Sequence, residues 1–354
     1  MSLRDLGYWL LDNAGPIIRF RTIVDLIEEQ DVGVVGRALS DMSEDPEVLK
    51  WLNLLKPNLG FNEIHSSKQD SFENVMGKLV QLGWRAGLQP FDTKTLPFRV
   101  WLTENIDKPH IEPHAVFKKT LIASLLARAG YDMVETVEKQ MLSRLRTLFK
   151  FSASPDFSQV FIEKPDTKMM HEMEHELVNP ELYPNQQFML PWVHDALAFS
   201  KIGSIINQPE KREMVENIME MILSPEYQAL PWSYGLARYG EKYYVIGWAV
   251  HLPGYDSKPD GKPFAEMLLM LEALAPFKCI QNSSWFKQSM KYLEEFRTDN
   301  DTYSFPKAWL TEAKTGYWVG GVRMAFDSRT GRTNAIEVES TFRVLLIKKI
   351  AGLS

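Results

Sequence analysis

The stretch Phe72-Glu73-Asn74-Val75-Met76-Gly77-Lys78-Leu79-Val80 carries apolar residues at Phe72, Val75, Met76, Leu79 and Val80. That is the i, i+3, i+4, i+7 spacing of a helix burying one face, and Gly83 closes it. The spacing predicts a helix over 72–83. The pattern returns at Phe117, Leu121 and Leu125, at Val193, Leu197, Ile202 and Ile205, and at Phe264, Met267, Leu268, Leu271 and Leu274. These predict helices over 114–128, 193–206 and 264–275. Each is followed by a breaker (Gly83 and Gly87, Gly130, Pro209, Pro276) and a second amphipathic segment, over 96–102, 134–149, 214–223 and 286–296. The repeating unit is a helical hairpin. Its first helices share a start signal, since Ser71 with Asn74, Glu112-Pro113, Pro191 and Pro263 stand where caps or first-turn prolines belong.

Outward from these hairpins, residues 10–29 read as a further one, broken by Asn13-Ala14-Gly15-Pro16, with a helix over 46–55 after it. The final helix, over 340–351, puts Phe342, Leu345, Leu346 and Ile350 on one face. The two chain ends are expected to pack together, because each apolar face would otherwise meet water. Equivalent helices recur about 45 residues apart once and then about 70–80 apart, too irregular for a solenoid of identical repeats. The excess length lies in insertions over 152–191 and 225–263, rich in Pro, Gly, Tyr and Trp. Long loops inside compact domains are usually functional. Alternation over 243–251 reads as a short strand pair. With no low-complexity linker, one closed domain over 1–354 is expected.

Composition narrows the class. The 354 residues are 45% apolar and 24% charged with net charge -6, which is ordinary for a globular protein and excludes a disordered or fibrous one. No apolar run approaches the roughly 18 residues of a membrane span. Without a long Lys/Arg block, a nucleic-acid partner bound through its phosphates is not expected. The single Cys279 excludes an intrachain disulfide and a multi-cysteine zinc site. Together with a start that lacks the charged and apolar regions of a signal peptide, it points to the cytoplasm. The sequence names no cofactor, and it leaves the oligomeric state open.

Hairpins whose first helices are the more apolar can close into a ring with the first helices inside. The expected fold is therefore all-α, an α/α toroid of helical hairpins with long loop insertions. The chain resembles the terpenoid cyclase and protein prenyltransferase superfamily, in particular its uncharacterised bacterial squalene-cyclase-like members. Tyr8-Trp9-Leu10-Leu11-Asp12 with Pro16-Ile17-Ile18-Arg19-Phe20-Arg21-Thr22 carries this resemblance. So do Thr302-Tyr303-Ser304-Phe305-Pro306 with Leu310 and Gly316-Tyr317-Trp318-Val319-Gly320, and Glu339-Ser340-Thr341-Phe342-Arg343. The resemblance implies the toroid but not the family's chemistry. Asp299-Asn300-Asp301-Thr302 lacks the paired final aspartates of the cyclase acid motif, and Phe277 stands where the prenyltransferase zinc site needs an acid before Cys279. Residues 312–318 only loosely match the Gln-Trp brace of the cyclases, and packing of Tyr317 and Trp318 is the simpler account.

Three groups of residues carry candidate chemistry. His171-Glu172-Met173-Glu174-His175 fits His-Glu-x-x-His, which puts two imidazoles one helical turn apart with a general base beside them. The charged Glu174 and the polar flanks speak for a solvated segment, so no metal site is assigned. The first turns of the inner helices bear Asp70 and Glu73, His114, His194 and Asp195, Glu266, and Glu337 and Glu339. In a walled cavity such groups suit acid–base work, although acids also cap helices. His194, Asp195, Glu266 and Glu339 are the expected catalytic set, with Glu73 and His114 at the ligand. The third group is aromatic: Trp232, Tyr234, Trp248, His251 and Tyr255, with Tyr239, Tyr243 and Tyr244 among them, offers faces for sugars, isoprenoids or aromatic ligands. The leading expectation is a protein whose central aromatic and acidic cavity binds a small or elongated ligand. A non-catalytic interaction scaffold and a glycan-processing hydrolase or lyase are the alternatives.

Overall fold

The computed structural model describes residues 2–109, 114–167, 172–310, 312–328 and 332–353. The chain is mainly helical and contains one small sheet. In chain order the helices begin with α1 (Leu3–Asn13), α2 (Pro16–Arg21), which runs on as a π-helical turn (Thr22–Ile27), α3 (Val32–Ser43) and α4 (Pro46–Leu54). There follow α5 (Phe61–Ile64), α6 (Phe72–Leu82), α7 (Phe91–Asn105), α8 (Ala115–Leu126) and α9 (Glu135–Ser152). The later ones are α10 (Val193–Phe199), α11 (Gly203–Ile206), α12 (Pro209–Ile222), α13 (Pro225–Gln228), α14 (Gly261–Leu274), α15 (Lys278–Asn282), α16 (Ser284–Glu294) and α17 (Ala335–Ile350). No helix among the described residues is long and apolar enough to cross a membrane.

The helices predicted over 72–83, 114–128 and 264–275 correspond to α6, α8 and α14, and the last helix begins a few residues earlier than expected, at Ala335. The helix expected over 193–206 is two, α10 and α11. The break is fixed from outside, because the Gly203 amide donates to the Asp132 carboxylate at 3.1 Å. Prolines open α2, α4, α12 and α13 at the first turn, where a missing N–H costs nothing. The expected cap at Ser71 takes a different form: its Oγ donates to the Ser66 carbonyl at 3.0 Å and makes no cap bond. Glu112-Pro113 lies outside the described residues.

By backbone contacts the chain divides into two compact units, residues 1–97 with 253–354, and residues 98–252. In the first unit α14 packs on α17, α17 on α1 and on the π-helical turn, and α2 on α6, while α3 joins α2 to α4. The chain ends therefore do pack together, with Phe342 and Leu346 of α17 buried. Helix α6 departs from its one-sided pattern, because Asn74, Lys78 and Gln81 are as buried as its apolar face. The Trp318 segment clasps this side. Trp318 donates its amide to Asn74 Oδ1 at 2.6 Å and its Nε1 to Gln81 Oε1 at 2.9 Å. Lys78 donates to Glu312 Oε1 at 2.6 Å and to the carbonyls of Arg323 and Ala325. A fully buried ammonium persists only with such partners, and burial still holds its pKa below the usual lysine range.

The second unit layers its helices in two rows. Helix α8 packs on α9, as a hairpin should, but α8 also packs on α10 and α9 on α12. First helices thus neighbour first helices, and second helices neighbour second ones. The two long insertions are where the all-α expectation needs amendment, for they supply a four-stranded sheet: β1 (Phe161–Ile162), β2 (Leu177–Val178), β3 (Leu236–Tyr239) and β4 (Lys242–Val245), in that order. The β1–β2 and β3–β4 pairs are antiparallel and β2–β3 is parallel. The hairpin begins earlier than the alternation over 243–251 suggested, because Gly240, at φ 61, turns the chain between Tyr239 and its partner Lys242.

Candidate functional site

Asp195 sits in the first turn of α10 with no exposed surface, and its carboxylate accepts the Trp192 amide at 3.0 Å. From α9 the buried Arg144 reaches it with Nη2 at 2.8 Å and Nε at 3.1 Å. The same guanidinium donates to the carbonyls of Phe188 and Leu190, and lies 4.2 Å from the centre of the Trp192 ring. All of these groups are buried, and they hold the Asp195 side chain at the entry to α10. His194 is equally buried, with its ring edge-on to Phe117 at 5.6 Å. Of the pair expected as acid and base, Asp195 is ion-paired to Arg144 and His194 packs on Phe117. The signal for the ion pair, Arg144, lies 51 residues away in sequence.

The aromatic set separates likewise. Tyr234 is core: its hydroxyl donates to the Pro191 carbonyl at 2.6 Å and shares a 2.5 Å hydrogen bond with Tyr227, and burial holds its pKa well above the usual range. His251 donates Nε2 to the Leu230 carbonyl at 3.0 Å, and burial lowers its pKa. Trp232, 49% exposed, lies against Trp248 at 4.7 Å between ring centres. These two rings form a surface pair.

Tyr239 and Tyr244 do line a recess, whereas Tyr243 packs against Leu177 and Leu236. Strand β2 pairs with β3 only at Leu236, so the amide of Arg238 is left over, and it donates to the Tyr183 hydroxyl at 3.2 Å. Tyr183 thereby extends the sheet edge and, with Tyr239, Tyr244, Arg238, Asn185 and Gln186, walls an open cleft of about 570 Å³. A recess of about 20 Å³, room for one water, shares Tyr183, Gln186 and Tyr244 and reaches His114, Phe117, Phe188 and Trp192. Three lining residues hold left-handed backbone that non-glycine residues avoid: His114 (φ 67), Asn185 (φ 50) and Gln186 (φ 64). Such strain gathers where a site is held in shape. The His114 ring meets Tyr244 edge-on at 4.6 Å, and burial beside Tyr183 and Tyr239 pushes the Tyr244 hydroxyl up to about 12. The Trp192 Nε1–H is buried with no hydrogen-bond acceptor among the described residues. No carboxylate lines the cleft or the recess among the described residues.

Glu73, Tyr255, Glu266 and Glu339 belong to the first unit. Glu339 accepts from Arg343, one turn on along α17, at 3.0 Å, and the Arg343 guanidinium lies 4.3 Å from the Phe326 ring centre. Glu266 on α14 has its carboxyl pushed up to about 7 by burial, against the pull of Lys262. Glu73 is fully buried and accepts from His65 Nδ1 at 2.6 Å. Beside them Tyr317, at 5.0 Å from the His65 ring, has its hydroxyl raised by burial and by the Glu73 charge. Sequence reading overlooked His65 because it lies ahead of the helix, outside any periodic segment. Tyr255 belongs to this unit and is half-buried. Of the His-Glu-x-x-His motif, His171 lies outside the described residues, while His175 Nδ1 is 3.4 Å from Ser233 Oγ. Among the described residues no group of three or more His, Cys, Asp or Glu is placed to hold a metal ion.

No protein-family model matches the chain, and neither a curated protein nor a solved structure matches it.

Proposed function

We propose that the chain is a cytoplasmic carbohydrate-binding protein of α/α-toroid type, whose ligand lies in the tyrosine-walled cleft of the second unit. The carrying observation is that cleft: about 570 Å³, within the size range of small-molecule sites, between Tyr183, Tyr239 and Tyr244. Tyrosine rings offer flat faces to the C–H side of a sugar, and the amides of Asn185 and Gln186 with Arg238 offer donors and acceptors to its hydroxyls. The toroid reading is supported by the double row in the second unit, where α8 neighbours α10 and α9 neighbours α12. The similarity to terpenoid cyclases and protein prenyltransferases stays part of this proposal, on the motifs given above.

Binding is favoured over catalysis by a specific feature. Sugar hydrolysis uses two carboxyl groups flanking the bond, and the described lining holds none. Two members of the expected catalytic set, Asp195 and Glu339, are already committed to buried arginines. A thermal-shift panel of maltotriose, cellotriose, xylotriose and chitotriose beside short-chain prenyl diphosphates tests the reading. A rise in melting temperature with a trisaccharide is expected, and a rise with the diphosphates alone contradicts it.

A further inference from the structure

The loop over 253–259 spans one face of α16 in the first unit like an arch. Trp285 tethers its start, with Nε1 donating to the Pro253 carbonyl at 2.9 Å, and Tyr292 tethers its end, with its hydroxyl donating to the Pro259 carbonyl at 3.2 Å. Trp285, Ser289 and Tyr292 follow the i, i+4, i+7 spacing, so Ser289 stands on that same face between the two tethers. A cavity of about 380 Å³ remains there, with Met267 of α14 contributing to its wall. Lys258 of the arch pairs with Glu295 at 2.5 Å, which closes one side. The arch is therefore held open by named bonds rather than collapsed on the helix.

Ser289 is 3% exposed, lines this cavity, and its hydroxyl has no hydrogen-bond partner among the described residues. A buried hydroxyl without a partner costs free energy, which a ligand supplying an acceptor or donor recovers. The charges around it define the ligand. Lys258 and Glu295 satisfy one another, whereas Asp256 of the arch and Lys291 of α16 line the same cavity with no ion pair among the described residues. One negative and one positive group beside the apolar wall of Met267 match a small zwitterion with an apolar side chain.

We propose that this cavity is a second binding site, taking a free α-amino acid with an aliphatic side chain. Its ammonium faces Asp256, its carboxylate faces Lys291 and Ser289, and its side chain lies along Met267. The site is independent of the tyrosine cleft in the other unit.

Methionine-methyl NMR of the whole chain reads this directly, with the Met267 signal assigned from Met267→Leu. L-leucine is expected to shift that signal saturably. Isoamylamine, which lacks the carboxylate, and isocaproate, which lacks the ammonium, are expected to leave it in place. Ser289→Ala should weaken L-leucine binding about tenfold while the melting temperature stays level or rises, since the hydroxyl it removes was unsatisfied. Ser289→Leu should fill the cavity and abolish the shift. No saturable shift with L-leucine, equal binding of either analogue, or unchanged affinity in Ser289→Ala overturns the proposal.

Discussion

The indole of Trp318 lies directly on Gly77, where a Cβ would stand 2.4 Å from the ring. The absent side chain lets residues 312–325 close over α6, with Asn74 and Gln81 bonding the tryptophan on either side. Gly77→Ala should force the ring away and destabilise by about 1–3 kcal/mol, despite the better helix propensity of alanine. A urea melt checks this, and an unchanged or raised midpoint would show that the clasp is loose.

The Arg144–Asp195 pair makes a prediction opposite to that of a catalytic acid. Arg144→Ala leaves a buried carboxylate without its partner and should cost about 3–5 kcal/mol. Asp195→Asn should also lower the melting temperature, because the asparagine cannot answer the guanidinium with a charge. Wild-type stability in Asp195→Asn would return this residue to the list of functional candidates.

Glu266 gives a pH dependence whose sign is fixed by its raised pKa. The folded-state value of about 7 lies above the ordinary 4.5, so the unfolded chain holds fewer protons between these values and stability falls as pH rises through that window. Glu266→Gln removes the penalty. It should stabilise by about 1–3 kcal/mol near pH 8 and change little near pH 4, after allowing for the partial exposure of the group. Denaturant melts of both proteins at the two pH values decide it, and a variant that is weaker near pH 8 contradicts the assignment.

Helix α17 seals the first unit through its contact with α1. Leu346 is buried there, so Leu346→Ala should cost about 2–5 kcal/mol, as other buried leucine truncations do. A neutral effect would mean that the terminal helix adds nothing to the fold.

The parts legible from sequence are those set by local period. Phe72 to Val80 and Phe264 to Leu274 announce their helices because burial of one face repeats every turn. What escaped reading depends on partners distant in the chain. Nothing near Gly203 reveals that Asp132 takes its amide, and nothing near Asp195 reveals Arg144. Aromatic clustering over 231–255 did mark a segment that contributes Tyr239 and Tyr244 to the cleft. It could not separate Tyr234, which is core, from Tyr244, which lines the cleft, nor find Tyr183, whose place follows from the spare amide of Arg238.

The cleft is tested most directly by titration calorimetry of the trisaccharides against the parent protein and Tyr244→Ala. Tyr244 is half-buried, so its truncation should leave the fold standing while removing one wall of the cleft. The account predicts that at least one trisaccharide binds the parent and binds Tyr244→Ala at least about fivefold more weakly, the loss of one stacked ring being worth roughly 1 kcal/mol or more. Equal affinity for the two proteins, or no heat with any trisaccharide, would contradict it.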